Sequence, residues 1–478
     1  MTDQLLFNGI NGETGEYLIP PVKPATMAAA ITGAPRDREE ERALRNWWER
    51  YISPDARRNH GAVEGTDYKD LASSGWGVIF PYNVDPQIRE ALQPLLNWRR
   101  EQAGDLFKEC TGGDGYVYKP SAGFYESKLD FLRKHKAGPG AAEPEKVPYY
   151  LLLVGTPEQI PYRFQSQLDV QYAVGRIHFD DIADYSNYAN SVVKAEKNKP
   201  ALAKEAAFFG VANPGDPATS MSLEQLVSPL AAEIAERQKD WKFNKVLKEE
   251  ATKTNLARLF GDQPPSLLFT ASHGMGFPNG HPLQRSDQGA ILCQDWPGIR
   301  QWRRPIPKDF YLAADDIENH ANVFGLIAFF FACYGAGTPK MDEFAKQAFK
   351  TPTEIAPESF VAKLPQRLLG HPQGGALAII GHVERAWGYS FSWDNAGAQR
   401  AVFITVLKRL MDGYPIGYAF EQFNERYAEL STDLTTTLED IDAGKRVDPI
   451  ELTGLWTANN DARNYIILGD PAVRLMTK

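Results

Sequence analysis

A thiol and an imidazole, Cys333 and His273, each stand near the end of an apolar run that glycine cuts short. Phe324-Gly-Leu-Ile-Ala-Phe-Phe-Phe-Ala-Cys-Tyr-Gly-Ala-Gly337 breaks off at Cys333, and Pro264-Pro-Ser-Leu-Leu-Phe-Thr-Ala-Ser-His-Gly274 breaks off at His273. A thiol attacks a carbonyl carbon as thiolate, and a neighbouring imidazole raises the thiolate fraction near neutral pH. The pair spells acyl transfer, with Cys333 as nucleophile and His273 as proton carrier to the leaving amine and from the incoming water. The backbone N–H groups of Gly274 and Cys333 are a candidate oxyanion hole, a contribution of about 3 kcal/mol per donor. Gly335 and Gly337 leave room for a substrate backbone. Either residue alone has a plainer explanation, since a cysteine in a Phe-rich strand is usually a small buried hydrophobe. Both at strand ends, each beside glycine, favour the chemistry.

These runs must be strands, because a spanning helix needs roughly 20 apolar residues. In a mainly parallel α/β sheet the carboxyl ends of neighbouring strands share one rim, where ligands bind. The intervening chain suits one crossover with an inserted hairpin, of which Gly289–Cys293 is an arm. The loop that carries Trp296, Arg300, Trp302, Arg303, Arg304, Phe310 and Tyr311 either covers the cleft, binds a regulator or is a solvated connection.

Around this centre the chain alternates strand and helix, the signature of an α/β fold. Residues 1–62 read as an amino-terminal extension with a charged helix, Asp37–Arg50, whose Trp47, Trp48 and neighbouring Tyr51 face another domain; no chemistry is visible there. Strands are expected at 76–81, 147–155 and 171–177, with helices at 85–102, 122–135 and 182–199. A second unit opens with a strand at 206–212, the turn Asn213-Pro-Gly-Asp-Pro217 and a helix at 222–237. It continues through a strand at 242–247, the two site strands, a helix at 342–349, a strand at 375–381, a helix at 396–411 and a last strand at 465–470. The polar stretch 431–448 reads as mobile.

The 478 residues suggest two or three domains. A balance of 52 basic against 61 acidic side chains, net −9, argues against a nucleic-acid partner. The first residues lack a basic and a long apolar region, so neither export nor a membrane is expected. Three scattered cysteines suit a reducing cytoplasm. No metal or cofactor is expected: His281, His320 and Cys293 lack zinc spacing, Lys340 stands where a dinucleotide fingerprint wants glycine, and neither a Walker A nor a Gly-x-Ser-x-Gly sequence occurs.

Ser272-His-Gly274 followed by Phe331-Ala-Cys333 resembles the His-Gly and Ala-Cys blocks of the caspase-like (clan CD) cysteine peptidases. Ala332, Cys333 and Gly335 agree with the caspase signature, while Phe331 replaces its Gln. Tyr149-Tyr-Leu-Leu-Leu-Val-Gly155, Tyr172-Ala-Val-Gly-Arg176 and Leu468-Gly-Asp-Pro-Ala-Val-Arg474 extend the resemblance to the gingipain-like branch and the related bacterial CHAT peptidases. The resemblance implies a caspase-like αβα sandwich at 205–478, preceded by a smaller noncatalytic α/β subdomain at 63–204. It implies a cysteine endopeptidase that passes through a thioacyl-enzyme, with a protein substrate; some bacterial relatives act in immunity or cell death on gasdermin-like pore formers. Where this fold sets specificity, Asp216 or Glu384 with Trp387 would suit a basic P1 residue. Asp216 equally fits a plain turn. The rival reading is a catalytically inactive relative that serves as a binding or scaffold module.

Overall fold

The computed structural model describes residues 9–17, 61–109, 117–120, 125–198, 202–261, 264–342, 344, 353–393 and 397–477. The expected helix 37–50 with Trp47, Trp48 and Tyr51 lies outside them, as does most of the expected helix 342–349.

The apolar runs become strands buried on both faces, as runs without polar alternation should in a parallel sheet. In chain order the strands that matter are β1 (Gly9–Asn11), β2 (Trp76–Pro81), β3 (Tyr150–Val154), β4 (Ala173–Ile177), β5 (Glu205–Gly210), β6 (Lys242–Leu247), β7 (Leu267–Ala271), β8 (Gly274–Gly276), β9 (Ile291–Leu292), β10 (Tyr311–Leu312), β11 (Ile327–Phe331), β12 (Ala378–His382) and β13 (Tyr465–Gly469). An 11-stranded sheet runs β2-β3-β4-β13-β12-β11-β7-β5-β6, and two short strands, Phe107–Lys108 and Val117–Tyr118, pair with β2. Every pairing along this path is parallel except β12 with β13. The last strand of the chain therefore completes the array begun by β2. The one reversal of strand direction falls between β12 and β13, and a single cluster of buried residues runs from Leu71 to Leu475.

Phe329 of β11 sits at the middle of that core, in ring contact with Phe269, Phe403, Phe423 and Tyr465. Each such buried ring contributes about 1.5–3 kcal/mol, so the strand that carries the thiol is among the most firmly held. Helices cover the sheet: α1 (Ile182–Asn198), α2 (Pro217–Ser222), which continues through a π-helical turn, Leu223–Val227, into α3 (Ser228–Arg237), then α4 (Ala401–Met411), α5 (Ile416–Asp442) and α6 (Pro449–Arg463).

Most of the stretch expected to be mobile, 431–448, is the second half of α5. Leu430, Ser431 and Leu434 are buried where α6 packs along it. The hydroxyls of Thr432 and Thr435 bond carbonyls one turn back, which hides their polarity from solvent. A second, smaller sheet of order β1-β8-β9-β10 sits over the end of β7 and encloses its own apolar cluster around Ile10, Met275, Leu292 and Trp296.

Candidate active site

Parallel pairing aligns Ala271 of β7 with Phe331 of β11, and the Ser272 N–H still donates to the Phe331 carbonyl at 3.2 Å. Two residues further along both strands stand His273 and Cys333, so the register alone sets them level. Gly274 then lies flat against the Cys333 peptide: a Cβ there would sit 1.8 Å from the Cys333 carbonyl oxygen. Gly274→Ala is accordingly expected to destabilise the chain by about 1–3 kcal/mol through overpacking, read as a lower denaturation midpoint at unchanged slope.

His273 is fully buried, with Nε2 2.6 Å from Oδ2 of Asp216. Asp216 follows β5 and caps α2, its Oδ1 accepting the Ala218 N–H at 3.2 Å with Pro217 as the first helical residue. The Tyr17 hydroxyl donates to Oδ1 at 2.5 Å and the Thr219 hydroxyl to Oδ2 at 2.7 Å. Burial alone would raise the Asp216 pKa, but the imidazole and these donors outweigh it and hold the carboxyl down at about 2. Facing an ionised carboxylate, Nε2 must carry the imidazole proton. Nδ1 is left as the acceptor, and it has no hydrogen-bond partner among the described residues. The edges of Tyr17 and Trp296 flank the ring at centroid distances of 5.8 and 6.1 Å.

Cys333 is fully buried too. Loss of water pushes its thiol up to about 12, against the pull of the Ala386 N–H, which donates to Sγ at 3.2 Å. The next residue, Tyr334, is turned to φ +58°, a left-handed conformation that costs a non-glycine residue about 1–3 kcal/mol. Its N–H donates to the Glu384 carbonyl at 2.5 Å, which locks the peptide after the thiol onto the segment that follows β12.

That segment holds the other expected residues. Glu384 is buried at φ +109°, and its Oε1 accepts from Arg385 at 2.7 Å. Arg385 also forks onto both oxygens of Asp342 at 3.0 and 2.7 Å. The Trp387 ring packs on Phe344 at 4.6 Å, and the Trp387 backbone N–H donates to Asp461 of α6 at 2.9 Å. Asp461 also accepts from Ser390 and meets His382 Nε2 at 3.2 Å, so α6 pins the segment from its far side.

The structure thus brings Cys333, His273 and Gly274 together, with Glu384 and the Trp387 segment on the thiol side. Asp216 lies on the imidazole side. Its carboxylate accepts four hydrogen bonds and is buried, so it faces His273 instead of flooring an open pocket. The sequence reading missed Arg385, Asp461 and Tyr17. Arg385 adjoins Glu384 and was within reach of a charge-pairing argument; Tyr17 lies 199 residues from Asp216 and gave no local signal. Trp296, from the loop read three ways, is buried against His273.

A mainly parallel sheet that sets a thiol and an imidazole level at two neighbouring carboxyl ends has the layout of a caspase-like cysteine peptidase. The sequence model of peptidase family C25 matches residues 79–476. The chain belongs to that family, the gingipain family of cysteine peptidases. Similar solved structures include one described as a protease, at 13% identity over 85% of this chain and 80% of that one, TM-score 0.48. Others are the Arg-specific cysteine proteinase gingipain R, at 13% identity over 87% and 80% with TM-score 0.47, and the complex of pro- and mature domains of Porphyromonas gingivalis RgpB, at 13% over 84% and 80% with TM-score 0.43. No curated protein sequence matches.

Proposed function

We propose that the chain is an endopeptidase in which Cys333 attacks the scissile carbonyl and His273, oriented by Asp216, carries the protons. The observation behind this reading is the imidazole geometry: Nε2 is committed to Asp216 and Nδ1 is unpaired, on a residue that the strand register sets beside Cys333. Substrate displaces the Ala386 segment, Nδ1 takes the thiol proton, and sulfur bonds to the carbonyl carbon. The proton passes to the leaving amine, and water then hydrolyses the thioester with His273 as base. The N–H groups of Gly274 and Cys333 are the proposed donors to the oxyanion.

A basic P1 residue suits the segment after β12. Glu384 and Trp387 both stand on it, a carboxylate and an aromatic ring of the kinds that stabilise a cation. The substrate is a protein, gasdermin-like effectors being one class to assay, and free Cys293 and Cys333 suit a reducing cytoplasm. No helix among the described residues is long and apolar enough to cross a membrane.

The closed cover over Cys333 favours the rival reading, a binding module without turnover. One panel decides between them: peptidyl ketone electrophiles and matching fluorogenic peptides with Arg, Lys, Leu or Asp at P1, with Cys333→Ala as blank. Capture and cleavage are expected about tenfold or more faster with Arg or Lys, as charge-assisted pairing implies. Capture with Leu or Asp alone overturns the pocket assignment; no capture by any compound establishes the binding module.

A further inference from the structure

The Asp216 carboxylate that orients His273 is itself held from an unexpected quarter. The described amino-terminal segment, residues 9–17, lies across the site: β1 pairs in parallel with β8, matching Gly9 to Gly274, Ile10 to Met275 and Asn11 to Gly276. The chain then turns back. Asn11 Oδ1 accepts the Glu13 N–H at 2.8 Å, and Gly15 adopts φ +71° where a Cβ would come within 2.8 Å of the Trp302 and Arg304 carbonyls. An antiparallel bridge between Ile10 and Tyr17 closes the turn, and the Ile306 N–H ties the loop down by donating to the Gly12 carbonyl at 2.8 Å. Gly274, Trp302 and Ile306 all belong to the segment between His273 and Cys333, so the turn is built onto the catalytic insertion and delivers one side chain into it.

That side chain is Tyr17. We propose that Tyr17 is a positioning residue for peptide hydrolysis: its hydroxyl fixes the rotation of the Asp216 carboxylate and, through it, the plane of the His273 imidazole. The inference rests on the peptidase reading above. Oδ2 of Asp216 serves the imidazole and Thr219; Oδ1 receives Tyr17 at 2.5 Å and otherwise the longer Ala218 N–H at 3.2 Å. Tyr17 is thus the side-chain donor to Oδ1 among the described residues. Burial and the facing carboxylate push its phenol far above the usual range, so it stays protonated and always donates. Its ring meets His273 edge-on, bracketing the imidazole opposite a carboxylate it also holds. Residues 9–17 therefore complete the proton-transfer unit as part of the site.

The test is a double-mutant cycle on the full chain with the best fluorogenic peptide. Tyr17→Phe keeps the ring and removes one charge-assisted hydrogen bond, so kcat is expected to fall about tenfold with KM within about twofold. In an Asp216→Asn background the same change is expected to cost nothing further, because the carboxylate it acts on is gone. A Tyr17→Phe enzyme within about twofold of wild type overturns the inference, and so does an equal loss in both backgrounds, which marks packing alone. A second readout does not need turnover: in histidine-15N-labelled protein the low-field Nε2 proton of His273 is expected to move in Tyr17→Phe. If wild type proves inactive the peptidase reading falls on that ground, and an unmoved resonance separately overturns the role of Tyr17.

Discussion

Asp216→Asn is expected to lower kcat by about 10³–10⁴-fold with little change in KM or in folding stability, measured on the preferred peptide alongside a thermal melt. The reason lies in what each oxygen does. An ionised carboxylate accepts the Nε2 hydrogen bond and so leaves Nδ1 as the bare, basic nitrogen. An amide can turn its NH₂ to Nε2 instead, which stabilises the tautomer with its proton on Nδ1, where a base is needed. Asn is as good a helix cap as Asp, so the Ala218 contact and α2 survive the change. The loss therefore reports on the imidazole, whereas Asp216→Ala would mix it with about 1 kcal/mol of lost capping. Retention of more than about a tenth of kcat would remove Asp216 from the proton-transfer unit and return it to a turn and a cap.

The same residue shows where a sequence stops being readable. His273 and Cys333 were legible because strands buried on both faces must be apolar throughout, so the first polar residue and the glycine after it mark a carboxyl end. Their alignment followed once β7 and β11 were neighbours. Asp216 sits after another such strand, in Pro-Gly-Asp-Pro, and two readings fitted that context equally. What decided was the position of β5 beside β7, a non-local fact that sets the carboxylate opposite the imidazole while it caps its own helix. Strand direction is equally silent: Tyr465-Ile-Ile-Leu-Gly469 is apolar whichever way it runs, and its pairing with β4 and β12 gave the sheet its one reversal. The second half of α5 was misread because threonines and acids dominate it, while the burial of Leu430, Ser431 and Leu434 depends on α6, not on their neighbours in sequence.

The thiol itself yields the last expected result. Burial holds Cys333 at a pKa of about 12 in the closed form, so near pH 7.5 its thiolate fraction is on the order of 10⁻⁴ to 10⁻⁵, against roughly a tenth for an ordinary free cysteine. Iodoacetamide, which borrows nothing from the substrate site, is expected to alkylate Cys333 about 10³-fold more slowly than it alkylates free cysteine. Because the shift is upward, the sign is fixed: the rate climbs as pH rises toward the thiol's own pKa, by about tenfold per unit between pH 7 and 10. A peptidyl ketone that enters as substrate does is expected to escape this penalty at neutral pH, since displacing the Ala386 segment frees the sulfur and, in the proposed mechanism, the unpaired Nδ1 takes its proton. Mass mapping must separate Cys333 from Cys293, which is also buried and pushed upward. Iodoacetamide labelling of Cys333 at the free-cysteine rate near pH 7.5 would mean that the sulfur rests open and ionised. The segment from Glu384 to Trp387 would then have no gating part in the reaction, and the strained Glu384 backbone would need another explanation.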